Sequence, residues 1–172
     1  MNKIIASILV AITAAGISSA SAAATVEARS NYKAAKDSAK AEYKIARAKC
    51  DALTGNPKDV CVEEAKAGRE RTLAEAKAQY KGTLGARTTA RKKIAEADYA
   101  VAHEKCDALT GNDKDVCIKE AKAAKVAAKA DAKADKKVIE ARNDARDDKI
   151  DAEYKVAKEK CDALAGADIE GG

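Results

Sequence analysis

Five cysteines are the residues of this chain best suited to chemistry, and their spacing says which chemistry. Cys50 and Cys61 bound the stretch CDALTGNPKDVC, and Cys106 and Cys117 bound CDALTGNDKDVC. Cys161 opens a third copy, CDALAG, in which the second cysteine never comes. Ten residues between paired thiols is too long for the usual zinc spacings, and the stretches hold no histidine. The expected chemistry is oxidation to disulfides, Cys50 with Cys61 and Cys106 with Cys117, each closing a tight turn between two helices. Such a bridge stabilises a hairpin by about 2–4 kcal/mol, chiefly by restricting the unfolded chain. Cys161 is left as a free thiol or one that pairs between molecules, which allows a Cys161-linked dimer or a bond to a cell-envelope protein.

Other reactive groups are sparse. The single histidine, His103, stands among charged residues and reads as solvated surface. Asp144, Asp147, Asp148 and Asp151 alternate with Arg142, Arg146 and Lys149, the pattern of an ion-paired helix face. No phosphate-binding loop, nucleophile elbow or calcium loop is present in the sequence. We expect no catalytic residues, no metal and no cofactor, and therefore no enzyme. The lysines between residues 119 and 137 are interleaved with acids, so nucleic acid is not the expected partner.

The turns that position the cysteines carry their own signals. Gly55 and Gly111 can adopt the left-handed conformation that ends a helix. Asn56 and Asn112 follow as N-cap candidates, and Pro57 falls at the first helical position, where its missing N–H is harmless. Asp59 and Asp115 then lie at the favourable end of the helix dipole.

Helices must flank these turns. The chain has no Phe and no Trp and is 35% charged, too poor in large apolar groups for a thick core. It is rich in Ala, Lys, Glu and Arg, the strong helix formers, which decides against disorder. Ala39, Tyr43, Ala46, Cys50 and Leu53 are spaced as a heptad seam. The seam recurs as Ala95, Tyr99, Ala102, Cys106 and Leu109, and again as Ile150, Tyr154, Ala157, Cys161 and Leu164. The tyrosines and leucines of all three copies are expected to pack in it. The copies divide residues 25–165 into repeats of about 30–85 and 86–140 with a partial one at 141–165; residues 166–172 form a flexible tail.

The expected fold is all-α: long antiparallel helices forming disulfide-stapled αα-hairpins, a thin three-helix coiled coil. Gly82 to Gly85 is either a kink or a second turn. By analogy with residues 137–140, which suit an uninterrupted helix, residues 58–110 are expected to form one rod bent near Gly82. That rod would put Cys61 and Cys106 at opposite ends and return Cys161 to the level of Cys50 and Cys61.

Residues 1–22 read as a secretory signal peptide: Lys3, an apolar run from Ile4 to Ile17, and the small-residue site Ala20-Ser21-Ala22. The chain is thus expected to be exported, most specifically to a bacterial periplasm, with no membrane span in its mature part. The Ala/Lys/Glu/Asp helices over residues 63–81 and 120–137 resemble the long middle region of TolA-type cell-envelope proteins. That resemblance implies a periplasmic helical spacer. The family's N-terminal anchor and C-terminal globular domain are not expected here, so its energy-transducing role does not carry over. The functional expectation is an exported structural or interaction protein, a spacer or scaffold of the envelope. The alternative is a periplasmic stress protectant or holdase-like chaperone.

Overall fold

The structure, a computed structural model, describes residues 17–167, with side-chain surroundings for residues 25–163. Most of the expected signal peptide, residues 1–16, and most of the expected tail, residues 168–172, lie outside the described residues. The described chain is helical throughout, in four helices: α1 Ile17–Lys49, α2 Asn56–Lys81, α3 Leu84–Cys106 and α4 Gly111–Ala167. A single 3-10 turn, Cys50–Ala52, follows α1.

Each cysteine-bounded break is built the same way. In the first, the chain leaves the 3-10 turn through an extended Leu53 whose N–H donates to the Cys50 carbonyl at 3.0 Å. Gly55 then takes φ +62°, and its carbonyl accepts from the N–H groups of Lys58 and Asp59 at 2.9 and 3.2 Å. The Asp59 bond opens the helical ladder, the Lys58 bond satisfies one of the orphan donors at the start of α2, and Pro57 occupies a position needing no N–H. In the second, the Leu109 N–H donates to the Cys106 carbonyl at 3.0 Å and Gly111 takes φ +57°.

A third break makes four helices where the sequence predicts three. Gly82 adopts the left-handed conformation, φ +63°, and its N–H donates to the carbonyls of Ala78 and Gln79. The next residue, Thr83, is extended, and its hydroxyl accepts from the Ala86 N–H at 3.1 Å. A helix stop and a helix start therefore occupy adjacent residues, and the chain reverses instead of bending. α4 has no such pair and runs unbroken for 57 residues, about 85 Å at 1.5 Å per residue.

Contacts show the direction of each pairing. Moving seven residues back along α2, from Arg71 to Glu64, moves the ion-pair partner seven forward along α3, from Asp98 to Lys105. Moving eleven forward along α1, from Tyr32 to Tyr43, moves the contact eleven back along α2, from Tyr80 to Arg69. Along α3, Arg91 and Glu96 meet Asp135 and Lys129 of α4. Among the described residues α1 packs only on α2 and α4 only on α3, so the helices form a row one layer deep.

The interior of this row is made of small side chains. Ala74 and Ala78 of α2 meet Ala90 of α3, with Ile94 packed against them. Ala39, Ala65, Ala76, Ala95 and Ala132 are buried along the other contacts. Alanine lets helix axes approach closely but removes little apolar area per turn from water. The hairpin reversal therefore leans on its backbone conformation. Gly82→Ala meets no steric obstacle, but it must hold φ +63° and so should cost about 1–2 kcal/mol. A urea midpoint unchanged by that substitution would show that the reversal does not need its glycine.

Candidate interaction surface

Two disulfides, Cys50–Cys61 and Cys106–Cys117, join α1 to α2 and α3 to α4, with Cα atoms 5.6 and 5.7 Å apart. Cys50 and Cys106 are completely buried and are the largest such side chains among the described residues. Because α2 and α3 reverse at Gly82, both staples lie at one end of the row, not at opposite ends of a rod. Two contacts lock that end. The Lys105 ammonium meets Glu64 at 2.7 Å, and Asn56 Nδ2 donates to the Glu104 carbonyl at 2.8 Å. Asn56 is thus not the N-cap that its position suggests. It lies within the first turn of α2 and satisfies a carbonyl in the last turn of α3, 48 residues away.

Each staple is flanked by matching charges. Asp51 accepts from Arg47 at 2.7 Å and faces Lys58 at 3.6 Å, and Asp107 meets Lys114 at 2.8 Å. The Arg47 hydrogen bond holds the Asp51 carboxyl below the usual carboxylate range, and the Lys114 hydrogen bond does the same for Asp107. Between α3 and α4 the Lys129 ammonium lowers Glu96 in the same way.

The seam residues separate into three groups. Tyr43 and Tyr99 are half-buried against the neighbouring helix, each beneath a cation: the Arg69 guanidinium 4.5 Å from the first ring and the Lys125 ammonium 3.5 Å from the second. His103 is half-buried rather than solvated, its ring 5.7 Å from that of Tyr99. Leu53 and Leu109 do not pack in the seam. They are 39% and 41% exposed, because the helices give way at the cysteines and the leucines fall in the connections. Tyr154 is 67% exposed, Ile150, Ala157 and Cys161 are exposed too, and Leu164 lies outside the residues whose surroundings are described. A pair the sequence did not single out, Tyr32 and Tyr80, stacks with ring centroids 5.0 Å apart. The residues lie in different helices, so no local spacing links them.

From residue 137 to residue 163 every residue of α4 is exposed. This half of the helix has passed the Gly82 turn and stands clear of the row. Cys161 is a free, exposed thiol there. It lies 44 residues from Cys117 along the helix, about 66 Å, so it does not return to the level of Cys50 and Cys61. Within the Asp144–Asp151 cluster only Asp147 is ion-paired, to Arg146 at 3.6 Å. Among the described residues no three His, Cys, Asp or Glu side chains converge as a metal site, and no helix is long and apolar enough to cross a membrane.

Two outcomes follow from this geometry. Replacing Cys106 and Cys117 together by Ala should lower stability by about 3 kcal/mol, read from denaturant unfolding of the otherwise oxidised protein. No loss would show that the alanine contacts suffice without the staple. Acid should also destabilise the row. Asp51, Glu96 and Asp107 bind protons more weakly when folded than when unfolded. Their contribution is complete above the ordinary carboxylate value of about 4 and is lost as pH falls through the depressed folded values. At low salt the melting temperature should be lower at about pH 2.5 than at about pH 6, and the difference should shrink in about 0.5 M NaCl. No family model, curated protein or solved structure matches this chain.

Proposed function

We propose that this protein is an exported structural or interaction protein, a disulfide-stapled helical rod serving as a spacer or scaffold in the cell envelope. The observation that carries the reading is the division of α4. Its first half is held in the row by α3 and the Cys106–Cys117 staple, and its second half, residues 137–163, reaches about 40 Å further with every side chain exposed. A helix fixed at one end and free along the other is suited to spanning a distance and presenting a surface. Two disulfides agree with an oxidising compartment, the periplasm being the most specific choice, and the described helices include none that could span a membrane. The likeness to TolA-type helical regions points the same way. No catalytic role is assigned to any residue.

A second reading, a stress protectant or holdase-like chaperone, draws on the exposed apolar side chains of Val138, Ile139, Ile150, Tyr154 and Val156. Such residues along one bare helix could cover hydrophobic segments of unfolded partners. Fractionation of cells expressing the whole chain separates these readings from an intracellular role: a form cleaved near Ala22 should appear in the periplasm, and a full-length cytoplasmic form would overturn export. Pull-down from the envelope without reductant should then retain a defined partner. Suppression of aggregation of many unrelated denatured clients, with no such partner, would favour the protectant.

A further inference from the structure

The bare half of α4 repeats the sequence of α3. Residues 150–164 correspond, 55 positions on, to residues 95–109, and the structure shows what that stretch does when it has neighbours. Cys106 is buried, Tyr99 lies under Lys125, and the acids and bases beside the seam are paired to adjacent helices: Glu96 to Lys129, Asp98 to Arg71 and Lys105 to Glu64. Their counterparts on the bare half are Asp151, Glu153 and Lys160. None of these three side chains has an ion pair or hydrogen bond, and Ile150, Tyr154, Ala157 and Cys161 between them are exposed. The third copy thus has the outfit of a helix packed through its seam, without the helix.

The charge order says which helix fits. At 3.6 residues per turn, Asp151 and Lys158 lie along one edge of the Ile150–Tyr154–Ala157–Cys161 seam, and Glu153 and Lys160 lie along the other. On each edge the acid comes first and the base follows seven residues later. A helix of the same sequence running the opposite way presents base opposite acid on both edges. Asp151 meets Lys158 of the second copy, Glu153 meets its Lys160, and the two-fold axis repeats both pairs. The same register sets the large Tyr154 against the small Ala157 and Ile150 against Cys161. A parallel pairing sets Tyr154 on Tyr154, Ala157 on Ala157, and Asp147 beside Asp147. The antiparallel register also places residue 140 of each copy past Ala167 of the other, so the two stapled rows stay at opposite ends and do not collide.

We propose that the bare half of α4 is a self-association surface, on which a second copy of this chain docks antiparallel through Ile150, Tyr154, Ala157 and Cys161, with Asp151–Lys158 and Glu153–Lys160 pairs along its edges. The inference rests on the rod reading and names the rod's partner. It also assigns Cys161 a packed position opposite Ile150 in place of a bridge to its own counterpart.

Sedimentation of the oxidised chain carrying Cys161→Ser, which excludes any disulfide link, should show a monomer–dimer equilibrium. Asp151→Lys with Glu153→Lys should weaken it by on the order of tenfold, and adding Lys158→Glu with Lys160→Glu should restore it. Orientation is read separately. With Ile150→Cys and native Cys161, oxidation by a mild thiol oxidant should link position 150 of one chain to Cys161 of the other, seen by peptide mapping. Chiefly Cys161–Cys161 links would overturn the antiparallel pairing. A monomer at every concentration would overturn the association itself. If that monomer still scatters X-rays as an extended particle, the rod stands without the dimer; if it is compact, both readings fail.

Discussion

Everything in this fold depends on sulfur buried at the end of an alanine interface. Among the described residues Cys50 and Cys106 are the largest fully buried side chains, and the other buried apolar residues are all alanines. Alanine contacts between helices are close but individually weak, and a row one layer deep has no second layer to add to them. The disulfides supply what the side chains cannot. Each forces α1 against α2, or α3 against α4, at the point where the chain turns, and so reduces the entropy that the alanine seam must overcome. Glu64–Lys105 and Asn56–Glu104 then bind the two stapled hairpins to each other. Reduction of either staple would therefore be expected to weaken the row.

The reversal at Gly82 and Thr83 converts what could have been a long thin rod into a short row with one projecting helix. Without it, α2 and α3 would continue in one direction and the two staples would lie far apart. With it, the staples gather at one end, and the length that would have been shared among three helices is concentrated in α4. The spacing function proposed for the chain and its self-association surface both belong to that one helix.

Local signals were legible in the sequence where they were confined to a few residues. Cysteines either side of a glycine break announce a stapled turn, and the structure has two, with Gly55 and Gly111 at positive φ. The continuity of α4 could be read from the lack of Gly or Pro across residues 113–164. The α2–α3 hairpin was less legible because the repeat argued against it: the matching positions of α4 are plain helix, and that analogy outweighed a Gly-Thr pair that combines stop and cap. The expected level of Cys161 fails for the same reason, since it depends on a continuous rod that the Gly82 reversal removes. Asn56 departs from the capping role for a different reason. Its side chain answers a carbonyl 48 residues away, and no local pattern encodes that. Leu53 and Leu109 fit the heptad count, but the helices end before the count does.

An interior of alanine also shapes how the protein responds to temperature. The heat capacity change of unfolding scales with the apolar surface newly exposed, and here little is hidden to begin with. The curve of stability against temperature is therefore gently curved instead of steeply domed. Cooling removes little, because the hydrophobic contribution that fades in the cold is minor. From cold to warm conditions the enthalpy and entropy of unfolding accordingly change little over the working range. The covalent staples, acting on the unfolded chain, add a contribution that varies only gently across that range.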